Sequence, residues 1–510
     1  MWLLSRKQAK ELDTLTIDQY GISGKILMGN AGKKVAEKAM EILSEIHDPS
    51  ILVLCGKGNN GGDGFAAAQI LNNNKYNVRV HSLSCFESIK DDSMYFLEQC
   101  QINQITITDG YTLPISNSFD LIIDGIFGTG FKNEIREQFL ECFHWVNKSN
   151  AQILSIDLPS GLDCNSGIAQ PTAIKADQTI TFGAPKLGLF FRQGKEFSGK
   201  ITIGEIGFPR LNKVKISGFK WKLFNEKNLK YLLKKPKIDS HKYIAGKVLF
   251  ITGSKGMTGA SILATLGALR SGAGLTLTAT PKSLNNILEK AIIEGMTYSL
   301  EDKLKGYFIK ENLDCLLEKS EWADVVVMGP GLGRNQSTQE LVKKLVALIE
   351  KPLILDADGL FPYENNLTDL DNRLNPLIIT PHLGELSHIS GINKKELVSD
   401  FPNQLEKIMK GFSHTAVIKQ VPACVFYKNQ VSLNTSGNQG LSTSGTGDVL
   451  SGMIGSFIAQ GLSLRQAAEL GVFIHGLASD NLLSAKGYRG QIASDLLFEI
   501  PKVISRYELS

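Results

Sequence analysis

Short continuous apolar runs, each ending in a glycine-rich or polar loop, constrain the fold of this chain more than any other feature. The run at 51–54 leads into residues 55–64, which hold five glycines, and then into a helical pattern from Phe65 to Leu71. Continuous apolar runs are typical of strands buried on both faces, and a strand–loop–helix order indicates parallel strands joined by helices. Similar runs recur at 78–80, 121–123, 153–156, 179–182, 247–251, 275–280, 325–328, 353–355, 377–380 and 416–418. We therefore predict an α/β protein with parallel sheets covered by helices.

A stretch rich in lysine divides this series of runs in two. A chain of 510 residues exceeds one ordinary domain of roughly 100–200 residues. Between 221 and 246 the apolar pattern lapses, and we interpret the stretch as a solvated connection, with an anion-binding patch as the alternative. Its lysines are Lys220, Lys222, Lys227, Lys230, Lys234, Lys235 and Lys237. We expect one domain at 1–220 and another at 221–510.

Helical periodicity indicates how each domain begins or ends. Apolar residues at helical spacing between 5 and 46 predict two amphipathic helices before the first strand. Near the other end of the chain, 446–460 and 464–483 are long apolar patterns that predict two closing helices for the second domain. The two series of motifs differ in order, so we expect two different α/β domains.

Composition and charge exclude several classes of protein. The net charge of only +4, from 55 basic and 51 acidic residues, argues against a dedicated nucleic-acid or membrane-surface protein. Seven cysteines without a CxxC pair indicate reduced thiols, and no apolar stretch reaches the ~18 residues of a membrane span. The four apolar residues at the N-terminus are too few for a signal peptide. We expect a cytoplasmic homo-oligomer without nucleic-acid or membrane partners.

Polar and acidic residues follow three predicted strands of the first domain. The glycine-rich loop 55–64 follows the first, Asp124 follows 121–123, and Asp157, with Ser160 nearby, follows 153–156. Ligands of parallel sheets bind beyond the carboxyl ends of the strands. The loop does not fit the Walker spacing and fits GxGxxG only loosely, so a plain tight turn remains open, as does turn capping for each aspartate. Together the oxygens suit a hard cation of low charge, a sugar or a phosphate.

These three segments, GNNGGDG (58–64), DGIFGTG (124–130) and DLPSGLD (157–163), resemble in this order the NAD(P)H-hydrate epimerase domain, also called the YjeF N-terminal domain. The resemblance covers residues 1 to about 215 and implies a Rossmann-like three-layer sandwich. It implies that the domain binds potassium and hydrated NADH or NADPH, and interconverts the R and S hydrates at C6 of the nicotinamide ring.

The same resemblance implies roles for particular residues. The implied potassium ligands are Asn60, Asp124 and Ser160. The implied contacts with the hydrate are Asn59, Asn60, Gly61, Gly62, Asp63, Gly128, Thr129, Gly130, Phe131, Lys132, Asn133, Glu134 and Asp157. Asp157 is our candidate for acid–base catalysis, because it ends a buried strand where its pKa can be tuned.

In the second domain, Gly-Thr-Gly-Asp at 445–448 begins a long apolar helix. Backbone N–H groups at a helix start stabilise the charge that builds up on a transferred phosphoryl group. Asp448 in the same turn can accept the proton of an attacking hydroxyl, although simple capping of the helix is the alternative. Loops of the same kind, each of which could also be a plain turn, follow predicted strands at 253–260, 328–333, 356–359 and 380–385.

The segments GPGLG (329–333), DADGL (356–360), TPHLGE (380–385) and GTGDVLSG (445–452) resemble in this order the ADP/ATP-dependent NAD(P)H-hydrate dehydratase, which has a ribokinase-like fold. The match runs from about residue 240 to 505. The resemblance implies dehydration of the S-hydrate at the expense of ADP or ATP, consistent with phosphorylation of the C6 hydroxyl and elimination of phosphate. With phosphoryl chemistry, it also implies magnesium.

This second resemblance carries its own residue roles. The implied contacts with the hydrate are Ala260, Gly333, His382 and Asp448. The implied contacts with the adenine nucleotide are Lys419, Gln420, Val421, Pro422, Ala423 and Gly447. The family usually has Lys-Gly where this chain has Lys419-Gln420, so we expect an altered affinity for the nucleotide.

The two halves together indicate a bifunctional nicotinamide-nucleotide repair enzyme, in which the epimerase supplies the epimer that the dehydratase consumes. The rival interpretation is a small-molecule kinase of the ribokinase superfamily fused to a nucleotide-binding scaffold domain. Such a kinase would make a stable phosphorylated product and would return no reduced cofactor.

Overall fold

The chain folds into two compact units, seen in a computed structural model that describes residues 1–111, 118–131, 135–224, 226–233, 235–238 and 241–508. The first unit is Met1–Gly218 with Ser399–Asn403, and the second is Phe219–Val398 with Gln404–Ser510. Among the described residues, no helix has the length and apolar character needed to cross a membrane.

The first unit alternates strands and helices for most of its length. Its strands are β1 (Trp2–Leu3), β2 (Ser50–Cys55), β3 (Asn77–Ser82), β4 (Thr106–Asp109), β5 (Leu121–Gly125), β6 (Gln152–Ile156), β7 (Gln178–Phe182) and β8 (Lys200–Gly204). Its helices are α1 (Arg6–Asp18), α2 (Gly24–Ile42), α3 (Asn59–Asn73), α4 (Asp91–Ile102), α5 (Glu137–Lys148) and α6 (Gly194–Phe197). The two amphipathic helices predicted before the first strand are α1 and α2.

The first unit is a three-layer sandwich around a parallel sheet of order β4-β3-β2-β5-β6-β7-β8. Val53 on one face packs with buried residues of α2, α3 and α4, whereas Leu54 on the opposite face packs with Phe143 of α5. Both faces of β2 are therefore buried, which explains its unbroken apolar sequence. The α/β, Rossmann-like arrangement predicted for this half is confirmed.

The second unit holds the remaining strands. They are β9 (Lys220–Phe224), β10 (Lys247–Ile251), β11 (Leu275–Pro281), β12 (Met296–Leu300), β13 (Val325–Met328), β14 (Leu353–Leu355), β15 (Leu377–Ile379), β16 (Thr415–Ile418), β17 (Cys424–Tyr427) and β18 (Gln430–Asn434). The helices after residue 219 are α7 (Thr258–Arg270), α8 (Asn285–Ala291), α9 (Leu313–Trp322), α10 (Gln336–Leu348), α11 (Leu367–Asp371), α12 (Leu383–Ser390), α13 (Lys394–Ser399), α14 (Phe401–Ile408), α15 (Thr446–Ala459), α16 (Leu464–Lys486) and α17 (Ala493–Glu508).

Within the second unit the strands follow the order β9-β18-β17-β16-β15-β14-β13-β10-β11-β12. One face of this sheet, including Phe250 and Val327, is buried against α7, α15, α16 and α17 in a continuous apolar core. The two predicted closing helices, α15 and α16, belong to this core. The loops that carry the candidate site follow the carboxyl ends of these strands.

The prediction of parallel strands is wrong for part of this sheet, because β16, β17 and β18 pair antiparallel. Tyr427 pairs with Gln430, so the hairpin between β17 and β18 has a two-residue turn. Both turn residues, Lys428 and Asn429, have positive φ, at 45° and 61°. Such turns match the twist of a hairpin. This one was not predicted because it lacks the glycine by which two-residue hairpin turns are usually recognised.

The prediction of a solvated connection from residue 221 is also wrong at its start. Residues 220–224 form β9, which pairs parallel with β18, and Trp221 is fully buried. Leu223 and Phe224 are buried as well. The alternation of lysine with apolar residues is the pattern of a strand with one buried face, and the lysine content concealed it.

Candidate functional site

Three polar segments of the first unit lie side by side at the carboxyl edge of its sheet. The strands β2, β5 and β6 are consecutive neighbours, with Leu54 opposite Asp124 and Asp124 opposite Ser155. The loop after β2 therefore lies next to Asp124, and Asp157 follows directly on β6. The topology places them at the edge where parallel sheets bind ligands.

The glycines after β2 permit very close packing of this loop. A Cβ atom on Gly61 would lie 1.8 Å from the carbonyl oxygen of Gly56, and one on Gly56 would lie 2.0 Å from that of Ile126. Gly62 faces the interior, where a Cβ would meet Met28 and Ser93. The tight-turn interpretation thus accounts for these glycines. Asn59 and Asn60 are the first residues of α3; Asn59 is exposed and Asn60 is buried.

The residues that the resemblance implies for potassium, Asn60, Asp124 and Ser160, form one buried cluster of polar groups. Ser160 donates to both oxygens of the Asp124 carboxylate, from Oγ at 2.5 Å and from its backbone N–H at 2.9 Å. The Asn60 amide donates to the carbonyl of Phe127 at 2.9 Å, and Phe127 N–H donates to Ser160 Oγ at 2.8 Å. Burial raises the pKa of Asp124, whereas the hydrogen bonds from Ser160 and Ser155 oppose that rise.

Asp157 contacts a buried cation that no sequence motif indicates. Its Oδ1 accepts hydrogen bonds from Thr181 Oγ1, at 3.0 Å, and from Lys186 Nζ. Lys186 also donates to Thr181 Oγ1 and to the carbonyl of Phe182, each at 3.1 Å, and is only 4% exposed. Asp157 itself has φ of +65°, a left-handed conformation that is uncommon outside glycine and often marks functional sites.

The second oxygen of this carboxylate remains available. Within the described residues, Asp157 Oδ2 accepts no hydrogen bond. One oxygen is thus anchored by protein groups, and the other can meet a ligand. Asp63 of α3 lies in the same region, and burial together with the charge of Asp157 raises the pKa of its carboxyl well above its usual value.

The segment after β5 makes a compact turn. Phe131 N–H donates to the carbonyl of Gly128 at 3.1 Å, and the Phe131 ring stacks on Phe127 with centroids 5.1 Å apart. Thr129 is half-buried and Gly130 is exposed. Of the hydrate contacts inferred from the resemblance, Lys132, Asn133 and Glu134 lie outside the described residues.

In the second unit, no side chain of the described residues caps the start of α15. Gly445 is the N-cap residue, with φ of +90°, so the capping alternative for Asp448, the third residue of the helix, is wrong. Burial raises the pKa of Asp448 to about 7, with a further rise from Asp356 and a partial offset from Lys419. Asp448 can therefore take up or release a proton near neutral pH.

Lys419 is the cation at the centre of this second site. Its Nζ lies 2.6 Å from Asp356 Oδ1 and 3.8 Å from Glu385 Oε2. The other oxygen of Asp356 accepts from Ser451 Oγ of α15 at 2.6 Å. A Cβ on Gly447 would lie 3.2 Å from Lys419 Nζ, so the glycine allows the helix start to approach the lysine.

Neighbouring loops bring the other predicted hydrate contacts to the same region. Gly333 N–H donates to Asp358 Oδ2 at 2.9 Å, and the charge of Asp358 contributes to the raised pKa of Asp448. Ala260, in the first turn of α7, lies beside the GPGLG loop, since a Cβ on Gly331 would meet its Cβ at 2.9 Å. These contacts connect Ala260 and Gly333 with Asp448 through adjacent loops.

His382 serves first as a helix cap. Its Nδ1 accepts hydrogen bonds from the N–H groups of Gly384, at 2.9 Å, and Glu385, at 3.0 Å. Because Nδ1 accepts, the neutral ring carries its proton on Nε2. The side chain is 57% exposed, and its Nε2 lies 3.4 Å from Glu385 Oε1. His382 pairs with Lys419 in a parallel bridge, which brings it to the same site.

Residues 419–423 form the connection between β16 and β17. Gln420 directs its amide to Cys424 Sγ, at 3.7 Å, and Val421 is exposed. Val421 and Pro422 are joined by a cis peptide bond, and the carbonyl of Ala423 accepts from Asn434 N–H at 2.9 Å. The extra side chain of Gln420 thus lies along its own hairpin.

Comparisons with known proteins cover both units. A family model described as NAD(P)H-hydrate dehydratase matches residues 248–502, and one described as YjeF-related protein N-terminus matches residues 24–188. A bifunctional NAD(P)H-hydrate repair enzyme of Moorella thermoacetica is 34% identical over 100% of this chain and 97% of its own length. A protein of the same description from Thermofilum pendens is 32% identical, over 98% and 95%.

A solved structure matches one part of the chain. It is a ribokinase-like superfamily protein from Enterococcus faecalis, 26% identical, with a TM-score of 0.50. The match covers 58% of this chain and 99% of that protein. The predicted ribokinase-like fold of the second half is thereby confirmed.

Proposed function

The chain belongs to the family of bifunctional NAD(P)H-hydrate repair enzymes, and we propose that it restores hydrated NADH and NADPH in two steps. Residues 1–220 epimerise the R and S hydrates. Residues 221–510 then dehydrate the S-hydrate at the expense of ADP or ATP. A stereospecific dehydratase repairs one epimer only, so the first activity gives the second access to all of the damaged cofactor.

Asp157 is the acid–base group of the first step. Epimerisation at C6 requires that the configuration of this carbon be lost and restored, with proton transfer at the hydroxyl it carries. Lys186 and Thr181 hold Oδ1 of Asp157, and Oδ2 is open to a ligand. An anchored carboxylate with one available oxygen is suited to positioned proton transfer. The hydrate is then bound by Asn59 and by the 128–131 turn, which adjoins Asn60 at Gly128.

The cluster around Asp124 fits a potassium ion by the chemistry of its donors. Asp124 and Ser160 supply carboxylate and hydroxyl oxygens, the carbonyls of Phe127 and Ile156 accept from the Asn60 amide nitrogen, and the Asn60 amide oxygen lies next to Gly128. Hard oxygen atoms with a single carboxylate suit a cation of low charge better than zinc or another transition metal. Bound there, potassium would organise the loops next to Asp157. A wild-type titration with potassium against lithium tests this assignment, and equal epimerisation in both salts would contradict it.

Asp448 carries the proposal for the second step. Its carboxyl has a pKa raised to about 7 and stands in the first turn of a helix whose N–H groups face the same region. It accepts the proton of the C6 hydroxyl as that oxygen attacks the terminal phosphate of the nucleotide. The helix start stabilises the charge on the transferred group. The C6–O bond then breaks, and phosphate leaves with its electron pair. Loss of a proton from the adjacent ring carbon restores the ring double bond.

The nucleotide is held by residues 419–423 and Gly447. The charge of Lys419 partly offsets the rise in the pKa of Asp448. Magnesium binds through nucleotide phosphates with only one or two carboxylates, for which Asp358 and Glu385 are the candidates. In the described residues no group of three or more histidine, cysteine or acidic side chains could hold a metal by itself. The donors present thus fit a magnesium ion that arrives with the nucleotide.

The deciding experiment is incubation of the purified full chain with mixed R and S hydrates and either ADP or ATP. We expect complete recovery of the near-ultraviolet absorbance of the reduced nicotinamide. Recovery that stops when the S-hydrate is exhausted would remove the epimerase assignment. A stable phosphorylated product without reduced cofactor would instead identify a small-molecule kinase.

A further inference from the structure

Arg6, the first residue of α1, joins two loops of the first unit through its guanidinium. Its Nε donates to the carbonyl of Thr129 at 2.9 Å, and its Nη2 donates to that of Phe131 at 2.7 Å. The same Nη2 lies 2.5 Å from Asp163 Oδ2. One side chain therefore holds both the 128–131 turn and the end of the loop that begins at Asp157.

Asp163 is a firm anchor for this arginine. Its Oδ1 accepts from the N–H of Asn165 at 3.0 Å, and from Ser166 through N–H at 2.7 Å and Oγ at 2.8 Å. Burial alone would raise the pKa of Asp163, but the bonds from Ser166 and the charge of Arg6 outweigh it and lower that pKa. Asp163, the last residue of the DLPSGLD segment, had no role in the chemistry assigned above.

The backbone of Arg6 is fixed as well. Ser5 caps α1 in a reciprocal pair of hydrogen bonds with Gln8, and Arg6 N–H donates to Asn165 Oδ1 at 2.8 Å. The guanidinium thus projects from an ordered helix start. Because an arginine fork donates in fixed directions, it sets the orientation of the two carbonyls it meets.

We propose that Arg6 is a positioning residue for epimerisation, which holds the 128–131 turn in the conformation that binds the hydrate. This inference rests on the proposed function, in which that turn contacts the hydrate. A turn held before binding avoids the entropy cost of ordering it on the substrate. Removal of the guanidinium should therefore raise KM for epimerisation more than it lowers kcat.

The test compares Arg6→Ala and Arg6→Lys with Lys7→Ala, which removes the charge of the next, exposed residue of α1. We expect Arg6→Ala to raise the epimerisation KM at least about tenfold, because a misplaced loop costs binding. Arg6→Lys can reach fewer carbonyls and should recover only part of the loss. Lys7→Ala should match the wild type, and dehydration of pure S-hydrate should stay unchanged in all three.

Two further readouts separate positioning from simple structural support. The Arg6 side chain is 27% exposed, so added guanidinium ion should lower the KM of Arg6→Ala but not that of the wild type. Amide hydrogen exchange at 128–131 should accelerate in Arg6→Ala at unchanged thermal unfolding temperature.

Wild-type KM and wild-type exchange at 128–131 in Arg6→Ala would overturn the inference while leaving epimerisation in place. If Arg6→Ala instead lowers both kcat and the thermal unfolding temperature, and guanidinium does not restore activity, the inference would also be overturned in favour of a purely structural role. If the wild type does not epimerise the hydrate, the proposed function fails, and unaltered exchange at 128–131 would then also refute the positioning of the turn.

Discussion

The two units place a candidate catalytic carboxylate in opposite surroundings. Asp157 of the first unit is bonded directly to a buried lysine, Lys186. In the second unit the corresponding lysine, Lys419, is bonded to Asp356, and Asp448 stands among carboxylates. The first acid is thus bonded directly to the lysine of its site, whereas the lysine of the second site is bonded to a different carboxylate.

This difference matches what each proposed reaction needs. The carboxylate of Asp157 is fixed at one oxygen by protein donors and stays next to a positive charge throughout. Asp448 has a pKa raised to about 7, because burial and the charge of Asp356 oppose its ionisation. Such a group readily changes protonation near neutral pH, as the general base of a phosphoryl transfer must. The two sites differ in where the lysine lies: Lys186 contacts Asp157, whereas Lys419 contacts Asp356.

Replacing the acid of the second unit should have the largest effect. Asp448→Asn is expected to lower nucleotide-dependent dehydration of S-hydrate about 10²–10⁴-fold, since it removes a general base without changing shape. Initial rates of reduced-cofactor recovery with ADP or ATP measure this, and epimerisation in the same variant is the internal control. A wild-type rate would show that the base lies elsewhere and that the comparison of the two acids has no catalytic meaning.

Removing the cation of the first unit should give that site the surroundings of the second. Lys186→Met leaves Asp157 without its charged partner and removes one of the two donors that hold Oδ1, so the rate of epimerisation at neutral pH should fall about tenfold or more. Loss of one partner of a buried pair is also expected to cost about 3 kcal/mol of stability. Lys195→Met, at an exposed position, is the matched control. An unchanged rate of epimerisation in Lys186→Met would mean that Lys186 has no influence on the acid.

The pH dependence of the second unit follows from Asp448. Its pKa is raised from 3.8 to about 7 on folding, so the stability that the protonated group contributes is present below pH 3.8 and is lost as pH rises through about 7. Asp448→Asn should therefore gain unfolding temperature relative to the wild type as pH rises across this window. The kcat/KM of wild-type dehydration should rise over the same range. A stability difference independent of pH would contradict the raised pKa.

The smallest effect is expected at the residue that departs from the family pattern. Gln420→Gly should change KM for the nucleotide by less than about threefold, because the Gln420 amide is directed to Cys424 of its own hairpin. Lys419→Met is the contrasting variant, since it removes the cation near Asp448. A large gain of nucleotide affinity in Gln420→Gly would show instead that this side chain obstructs the site.

The architecture could largely be predicted from the sequence. Strands buried on both faces need apolar residues at every position, so β2, β5, β10 and β13 are visible as unbroken runs. The strands that escaped prediction include the two-residue β1 and the edge strands β4, β8 and β12, whose residues are mostly not buried. The others, β9 and the pair β17 and β18, lie in the antiparallel part of the second sheet or beside it. Lysines alternate with the buried residues of β9, and the hairpin turns without glycine.

The site was only partly predictable, for a related reason. Asn60, Asp124, Asp157, Ser160 and Asp448 adjoin glycine-rich loops at strand ends, which make a recognisable local pattern. Lys186 and Arg6 belong to no such pattern, because the carboxylate that each one contacts lies far away in the chain. Arg6 is 157 residues from Asp163 and 123 from Thr129.

The sequence alone determined the order of strands and loops along the chain, and with it the sheet edge at which each acid stands. Burial and turns are visible in the sequence because each depends on residues close together in the chain. Which charge each acid meets was decided only by tertiary structure. Coulombic interaction depends on distance in space and on burial, and the chain brings Lys186 to Asp157 but Lys419 to Asp356 only when each unit has folded.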